Sequence, residues 1–492
     1  MTTLRGVSDV RRYFFRNELP TYFVSATPFN LLGMDEWVRN FTYINYVDCF
    51  DGEHPHVFVP AEKPHAVFQS IEEINNYLLK HPDVKALIRK NAPGGRGPKG
   101  NVVFLFFDEE TERICQELGL RICFPPAKLR SQVDNKIMTT RIGNEAGVPS
   151  VPNALAKVSS YASLRAIADE HGLGDRLVVQ TAYGDSGHTT FFISDEKEYA
   201  KYANEIEAEK EAKVMKRVRC RGAALEACVT SNGTIVGPLM TELVGFKELT
   251  PYKGGWCGNE VFAGAFSQKI RDFARESTFK IGEVLRRRRY RGYFELDYLV
   301  DLDSDHVYLG EMNPRITGAS SMTNLAAFAH ADAPLFLFHL LEYSGVKSKI
   351  DVKELNSRWS DAENIDSWSQ LVIKHTGKDV ELIKKAPRSG IWELHDDGRV
   401  EFVRIQTHRR TVQKENRAFF LRIANAGDWF YEGADLGILV TPGRLMGTGF
   451  QLRKRAKAWI EGIRAEYGTG RSSAAERAEI AREVEVAGFK FL

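Results

Sequence analysis

The residues with the most chemical promise lie in one stretch, 292–315. It reads Gly-Tyr-Phe-Glu-Leu-Asp-Tyr-Leu-Val-Asp to position 301, crosses the polar segment Leu-Asp-Ser-Asp-His, and continues Val-Tyr-Leu-Gly-Glu-Met-Asn-Pro-Arg from 307. Two apolar runs around an Asp-Ser-Asp turn predict a β-hairpin. A turn centred on Ser304 sets Asp297 opposite Glu311 and Glu295 opposite Asn313, and the two-residue period puts all four side chains on one face. Carboxylates placed opposite one another repel unless a cation sits between them. Hard oxygen ligands ~5 Å apart at Cβ suit Mg²⁺. Asn313 adds a neutral oxygen and Arg315 a fixed cation matched to phosphate. The same residues would also suit a solvated acidic face, and the hairpin alone leaves both readings open.

A second hairpin is predicted over 176–193, where two apolar strands flank a tip holding Gly184, Ser186, Gly187, His188, Thr189 and Thr190. Such a tip can lay backbone N–H groups over phosphate oxygens and fold down as a lid, or be an ordinary small-residue turn. The Gly- and Pro-rich segment 91–100 reads as a surface loop, because it does not open directly into a helix.

The elements that must position these residues alternate in type. Strands are expected at 22–26, 102–108 and 121–124, with an amphipathic helix at 109–118, which together make an α/β layer with a parallel sheet. Helices are expected at 195–215, 267–289 and 323–343, and a polar linker or wrapping loop at 347–369. Short strands dominate 370–440, before helices at 451–467 and 474–486.

A length of 492 residues predicts about three domains. Lys+Arg 67 against Asp+Glu 65 leaves a net charge of +2, so bulk charge points to no nucleic-acid partner. With 43% hydrophobic and 27% charged residues the chain is too apolar for disorder. No run reaches the ~18–20 apolar residues of a membrane span, and the start lacks a signal peptide's apolar core, so a cytoplasmic location is expected. The six cysteines show no CxxC spacing and the twelve histidines do not cluster, which argues against a disulfide framework or a transition-metal site.

The order of a lysine helix, a glycine hairpin, a strand pair near Glu226 and a hairpin ending Glu-x-Asn-Pro-Arg resembles the ATP-grasp superfamily. Asp134-Asn-Lys136 followed by Ala-Gly-Val-Pro at 146–149 is similar to that family's lysine helix. The resemblance covers about 130–345, and the C-terminal strands resemble the β-rich lobe of biotin carboxylases. It implies an ATP-grasp fold in the α/β class with α+β lobes. The expected divisions are an N-terminal parallel α/β domain at 1–130, the grasp domain at 131–345 with its lid at about 150–215, and a C-terminal β-rich domain with terminal helices at 346–492.

The resemblance also implies roles. Lys136, Gln180, the lid residues Gly184, Ser186, Gly187, His188 and Thr189, the hinge residues Lys216 and Val218, and Glu226 would contact the nucleotide. Asp297, Glu311 and Asn313 would hold Mg²⁺, with Mn²⁺ as the alternative. Arg315 and Lys136 would act on the transferring phosphoryl group, and Glu295 is a candidate to face substrate. Two departures stand out. Gln180 sits where the family usually has a second nucleotide lysine, and Ile-Thr-Gly-Ala follows Arg315 in place of the Gln-Val-Glu-His of biotin carboxylases. No Ala-Met-Lys-Met biotinylation site occurs.

The activity implied is ATP-dependent joining of a small-molecule carboxylate to an amine through an acyl phosphate. Bicarbonate carboxylation and a non-catalytic nucleotide-binding scaffold are the alternatives, and a homodimer is one open expectation for assembly. Lys247, Tyr252, Lys253 and Trp256, in a segment with glycines at 254, 255 and 258, are candidates to face substrate or to form a packed surface turn. The arginine run 286–291 reads as a solvated helix end.

Overall fold

The computed structural model describes residues 3–61, 67–95, 97–183, 189–325 and 332–487. A five-stranded parallel sheet opens the chain, built from β1 (Thr21–Ser25), β2 (Phe41–Asn45), β3 (Val57–Phe58), β4 (Gly100–Phe104) and β5 (Leu120–Ile122) in the order β3-β2-β1-β4-β5. Every residue of β1 is buried, as expected of a strand covered on both faces. The helix Glu109–Leu118 follows the predicted span, closed by a capping box in which the Thr111 N–H donates to Asp108 Oδ1 at 2.7 Å.

A four-stranded sheet follows, from β6 (Asn153–Ala156), β7 (Leu177–Gln180), β8 (Thr190–Ile193) and β9 (Ala212–Lys216), ordered β6-β9-β7-β8. The predicted helix at 195–215 is instead two short helices, Glu196–Ala200 and Ala203–Ala208, and then β9. The first four residues of β9 are buried in the middle of that sheet, so the strand shows no polar alternation by which to recognise it.

The largest sheet has eleven strands. It contains β10 (Cys220–Thr230), β11 (Gly233–Val236), β12 (Met240–Val244), β13 (Trp256–Val261), β14 (Gly292–Asp301), β15 (Val307–Asn313) and β16 (Trp368–Lys374), and runs β15-β14-β10-β12-β13-β16 before continuing into strands Asp435–Pro442, Arg417–Arg422, Gly390–Leu394 and Val400–Arg404. The β13–β16 pairing carries one sheet across residue 345.

Two further expectations change. The apolar run 323–343 is divided into helices Ser320–Leu325 and Leu335–Tyr343, the second capped by Pro334, which has no N–H to continue a helix from before. The polar stretch 347–369 holds a helix, Val352–Ser360, which buries Leu355 and Trp359 and is capped by Asp351. Among the described residues no helix is long and apolar enough to cross a membrane.

Candidate active site

The β14–β15 hairpin sets Asp297 opposite Glu311 and Glu295 opposite Asn313, the predicted register. The turn itself is centred half a residue earlier, since Val300 faces Val307 and Tyr298 faces Leu309. Gly310 is the extra residue of a β-bulge that restores the register at the site. A Cβ there would lie 3.0 Å from the Asp297 carbonyl oxygen. The row extends onto β10, where Glu226 faces Glu295.

Glu242 on β12 joins this group from a strand that spacing along the chain does not connect to the hairpin. Its carboxylate lies over Gly222, where a Cβ would meet Glu242 Oε2 at 2.6 Å. Burial and neighbouring carboxylates push Glu295 and Asp297 well above the ordinary carboxylate range, and burial beside Glu311 raises Glu242 to about 7. Glu311 is raised by burial and pulled back by Lys136 and Arg315.

Cations approach from two other elements. Lys136 opens the helix Lys136–Ala146, whose N-cap Asn135 accepts from the N–H groups of Ile137 and Met138. Its Nζ lies 3.6 Å from Glu311 Oε1 and donates to Thr189 Oγ1 at 3.3 Å, and its N–H donates to the Ala182 carbonyl at 3.0 Å. The start of the helix is thus tied to both arms of the β7–β8 hairpin. Arg315 stacks over Phe106 at 4.3 Å, donates to Asn313 Oδ1 at 2.8 Å and sits 3.6 Å from Asp134. The Phe106 contact brings the exit of the first sheet to the carboxylates.

The donor set is all oxygen, which fits a hard divalent cation. Among the described residues no three His, Cys, Asp or Glu side chains gather closely enough to hold an ion unaided. Asn313 turns its Nδ2 toward Asp297 (3.2 Å) and Glu295 (3.3 Å). Asp297 and Glu311 thus offer the one or two carboxylates that Mg²⁺ usually takes from a protein, with phosphate and water completing its shell.

No family model matches the sequence. The large chain of carbamoyl phosphate synthase from Methanothermobacter thermautotrophicus is 25% identical over 241 residues, 47% of this chain and 21% of that protein. The chain therefore spans about a fifth of the length of the curated relative it matches. Among solved structures, biotin carboxylase from Campylobacter jejuni in complex with β,γ-ATP superposes with a TM-score of 0.58 at 13% identity, covering 92% of both chains. The biotin carboxylase domain of 2-oxoglutarate carboxylase from Hydrogenobacter thermophilus, with MgADP and bicarbonate, gives 0.58 at 11% identity over 92% of this chain and 91% of that one. Carboxyaminoimidazole ribonucleotide synthase from Aspergillus clavatus with ATP gives 0.52 at 12% identity over 87% and 94%. The fold is the ATP-grasp fold.

Other predicted residues fall less simply. Glu226 is the first of these. It is fully buried, and its carboxylate accepts from Tyr293 (2.6 Å), Ser320 (2.5 Å) and Thr317 (3.1 Å). It lies six strand residues, roughly 20 Å, beyond Cys220, in the carboxylate row and away from the exposed Lys216 and the part-buried Val218. The residues that follow Arg315 hold this glutamate through Thr317 and Ser320. Gln180 ends β7 and donates to Thr190 Oγ1 at 3.1 Å. Gly184, Ser186, Gly187 and His188 lie outside the described residues.

Of the substrate candidates, Trp256 lies against Gly318, where a Cβ would meet the indole at 2.3 Å, and donates to Asn259 Oδ1. Lys247 and Lys253 are exposed, and the Tyr252 hydroxyl donates to the Glu432 carbonyl at 3.0 Å. Much of the arginine run is engaged in ion pairs, with Arg286 on Glu283 and with Arg287 and Arg288 both on Glu145. Cys257 is buried, and burial pushes its thiol up to about 12.

Proposed function

We propose that this chain is an ATP-dependent ligase that joins a small-molecule carboxylate to an amine, releasing ADP and phosphate. The observation that carries the reading is the buried carboxylate row of β14 and β15 with Lys136 and Arg315 converging on it from separate elements. A carboxylate oxygen attacks the γ-phosphorus of ATP, the bond from that phosphorus to the bridging oxygen breaks, and ADP leaves. The amine nitrogen then attacks the acyl carbon, the acyl–phosphate bond breaks and the amine loses a proton. Lys136 steers the phosphates, Arg315 stabilises the transferring group, and the lid hairpin excludes water from the acyl phosphate. Mg²⁺, held by Asp297 and Glu311 with Asn313 beside them, would neutralise phosphate charge.

Bicarbonate as the acid is the second reading, supported by superpositions on biotin carboxylases that cover 92% of this chain. ADP release should be screened over paired carboxylates and amines with Mg²⁺, and ¹⁴C-bicarbonate incorporation measured alongside. Glu311→Ala is expected to abolish ADP release while the fold persists. Unchanged turnover in that variant sinks the metal assignment, and nucleotide binding without turnover on any pair would leave a scaffold.

A further inference from the structure

One buried cation at the lid is left without a partner. Lys213 on β9 is 1% exposed, yet among the described residues no carboxylate lies within 4.0 Å of its Nζ and its side chain makes no hydrogen bond. The other buried lysine with that degree of enclosure outside the site, Lys374, is ion-paired with Asp435. A buried ammonium is costly unless paired, so Lys213 awaits an anion.

Its place says which anion. β7 and β9 are antiparallel, and Lys213 stands directly opposite Gln180. Opposite residues share a face with Cβ atoms ≈ 5 Å apart. Lys213 therefore rises from the sheet beside the position where a lysine is missing. The charges of Glu311 and Lys136 both act on it, which puts it in the same cleft. Gln180 has its amide committed to Thr190 and brings no charge. The two lysines thus flank the base of the lid hairpin, Lys136 from a helix start and Lys213 from the sheet. Burial draws the Lys213 ammonium down to about 8, so it is still mostly charged at neutral pH.

We infer that Lys213 supplies the second phosphate-binding cation of the nucleotide site, reaching across from β9 to replace the lysine that β7 lacks at Gln180. The ligand group is the polyphosphate of a nucleoside triphosphate, and the inference rests on the ATP reading above.

The test measures dissociation constants of MgATP and of adenosine by calorimetry for the unmodified protein, Lys213→Gln, and the exchange variant Gln180→Lys/Lys213→Gln. Lys213→Gln is expected to weaken MgATP roughly 10- to 100-fold, as the loss of one charge-assisted hydrogen bond would, and to leave adenosine unchanged. The exchange variant is expected to recover most of the loss, because the register returns the charge to the same face. Lys213→Met, which keeps the bulk without the charge, should behave as Lys213→Gln does. MgATP affinity that survives Lys213→Gln overturns this inference alone, as do equal losses for MgATP and adenosine. Failure of the unmodified protein to bind MgATP overturns the ATP reading and this inference with it.

Discussion

On β13, Glu260 is 1% exposed and both of its oxygens are engaged. Oε2 accepts from the N–H groups of Leu445 (2.8 Å) and Met446 (2.9 Å) and from Ser369 Oγ (3.0 Å), and Oε1 from Arg444 Nε (3.2 Å). On β14, β15 and β12 of the same sheet, Glu295, Asp297, Glu311 and Glu242 face mainly one another, with Lys136, Arg315 and the single amide of Asn313 as relief. One region spends its buried charge on holding a loop. The other crowds buried carboxyl groups whose burial and mutual repulsion hold their pKa values up, at a cost in stability. Glu226 stands between them, buried in the row yet supplied with three hydroxyl donors.

The contrast can be broken by substitution. The largest expected effect is on the satisfied side. Glu260→Ala orphans Arg444 and two backbone N–H groups and should cost about 3–5 kcal/mol in urea unfolding, whereas Asp297→Asn should leave stability unchanged or raise it by about 1 kcal/mol while removing ADP release. A comparable loss from both variants would erase the distinction.

The pH dependence comes next. Glu242 is raised from 4.5 to about 7, so the folded state keeps its proton to higher pH than the unfolded chain does. Its contribution to stability is fully present below about 4.5, falls as pH rises toward about 7 and is level above that. Between pH 5 and 8 the unmodified protein should lose about 1–3 kcal/mol relative to Glu242→Gln. Parallel pH profiles would show that the carboxylates do not share a field. The smallest effect is from Mg²⁺ alone, at concentrations about tenfold above its dissociation constant. It should raise the melting midpoint by roughly 1–2 °C and not do so in Asp297→Asn, with differential scanning fluorimetry as the measurement.

Local pattern carried much of this. The hairpin register at Asp297 and Glu311 followed from its turn residues, though the turn lies half a residue away and the Gly310 bulge makes up the difference. The Glu109–Leu118 helix was legible from its apolar spacing and its Asp108 cap. β9 was not, because a strand buried on both faces has no alternation, and the helix Val352–Ser360 was hidden by its polar composition. Glu242 and Lys213 were missed together, and nothing in their neighbours marked them.

The sequence by itself determined the type and order of most elements and which residues share a face within one hairpin, since both depend on side-chain period and turn chemistry over a few residues. Only the tertiary structure decided that β12 lies beside β10, with Gly222 making room for Glu242, and that β9 lies beside β7, with Lys213 opposite Gln180. Pairing between strands distant in sequence is chosen by the packing of whole sheets, and no local spacing encodes it.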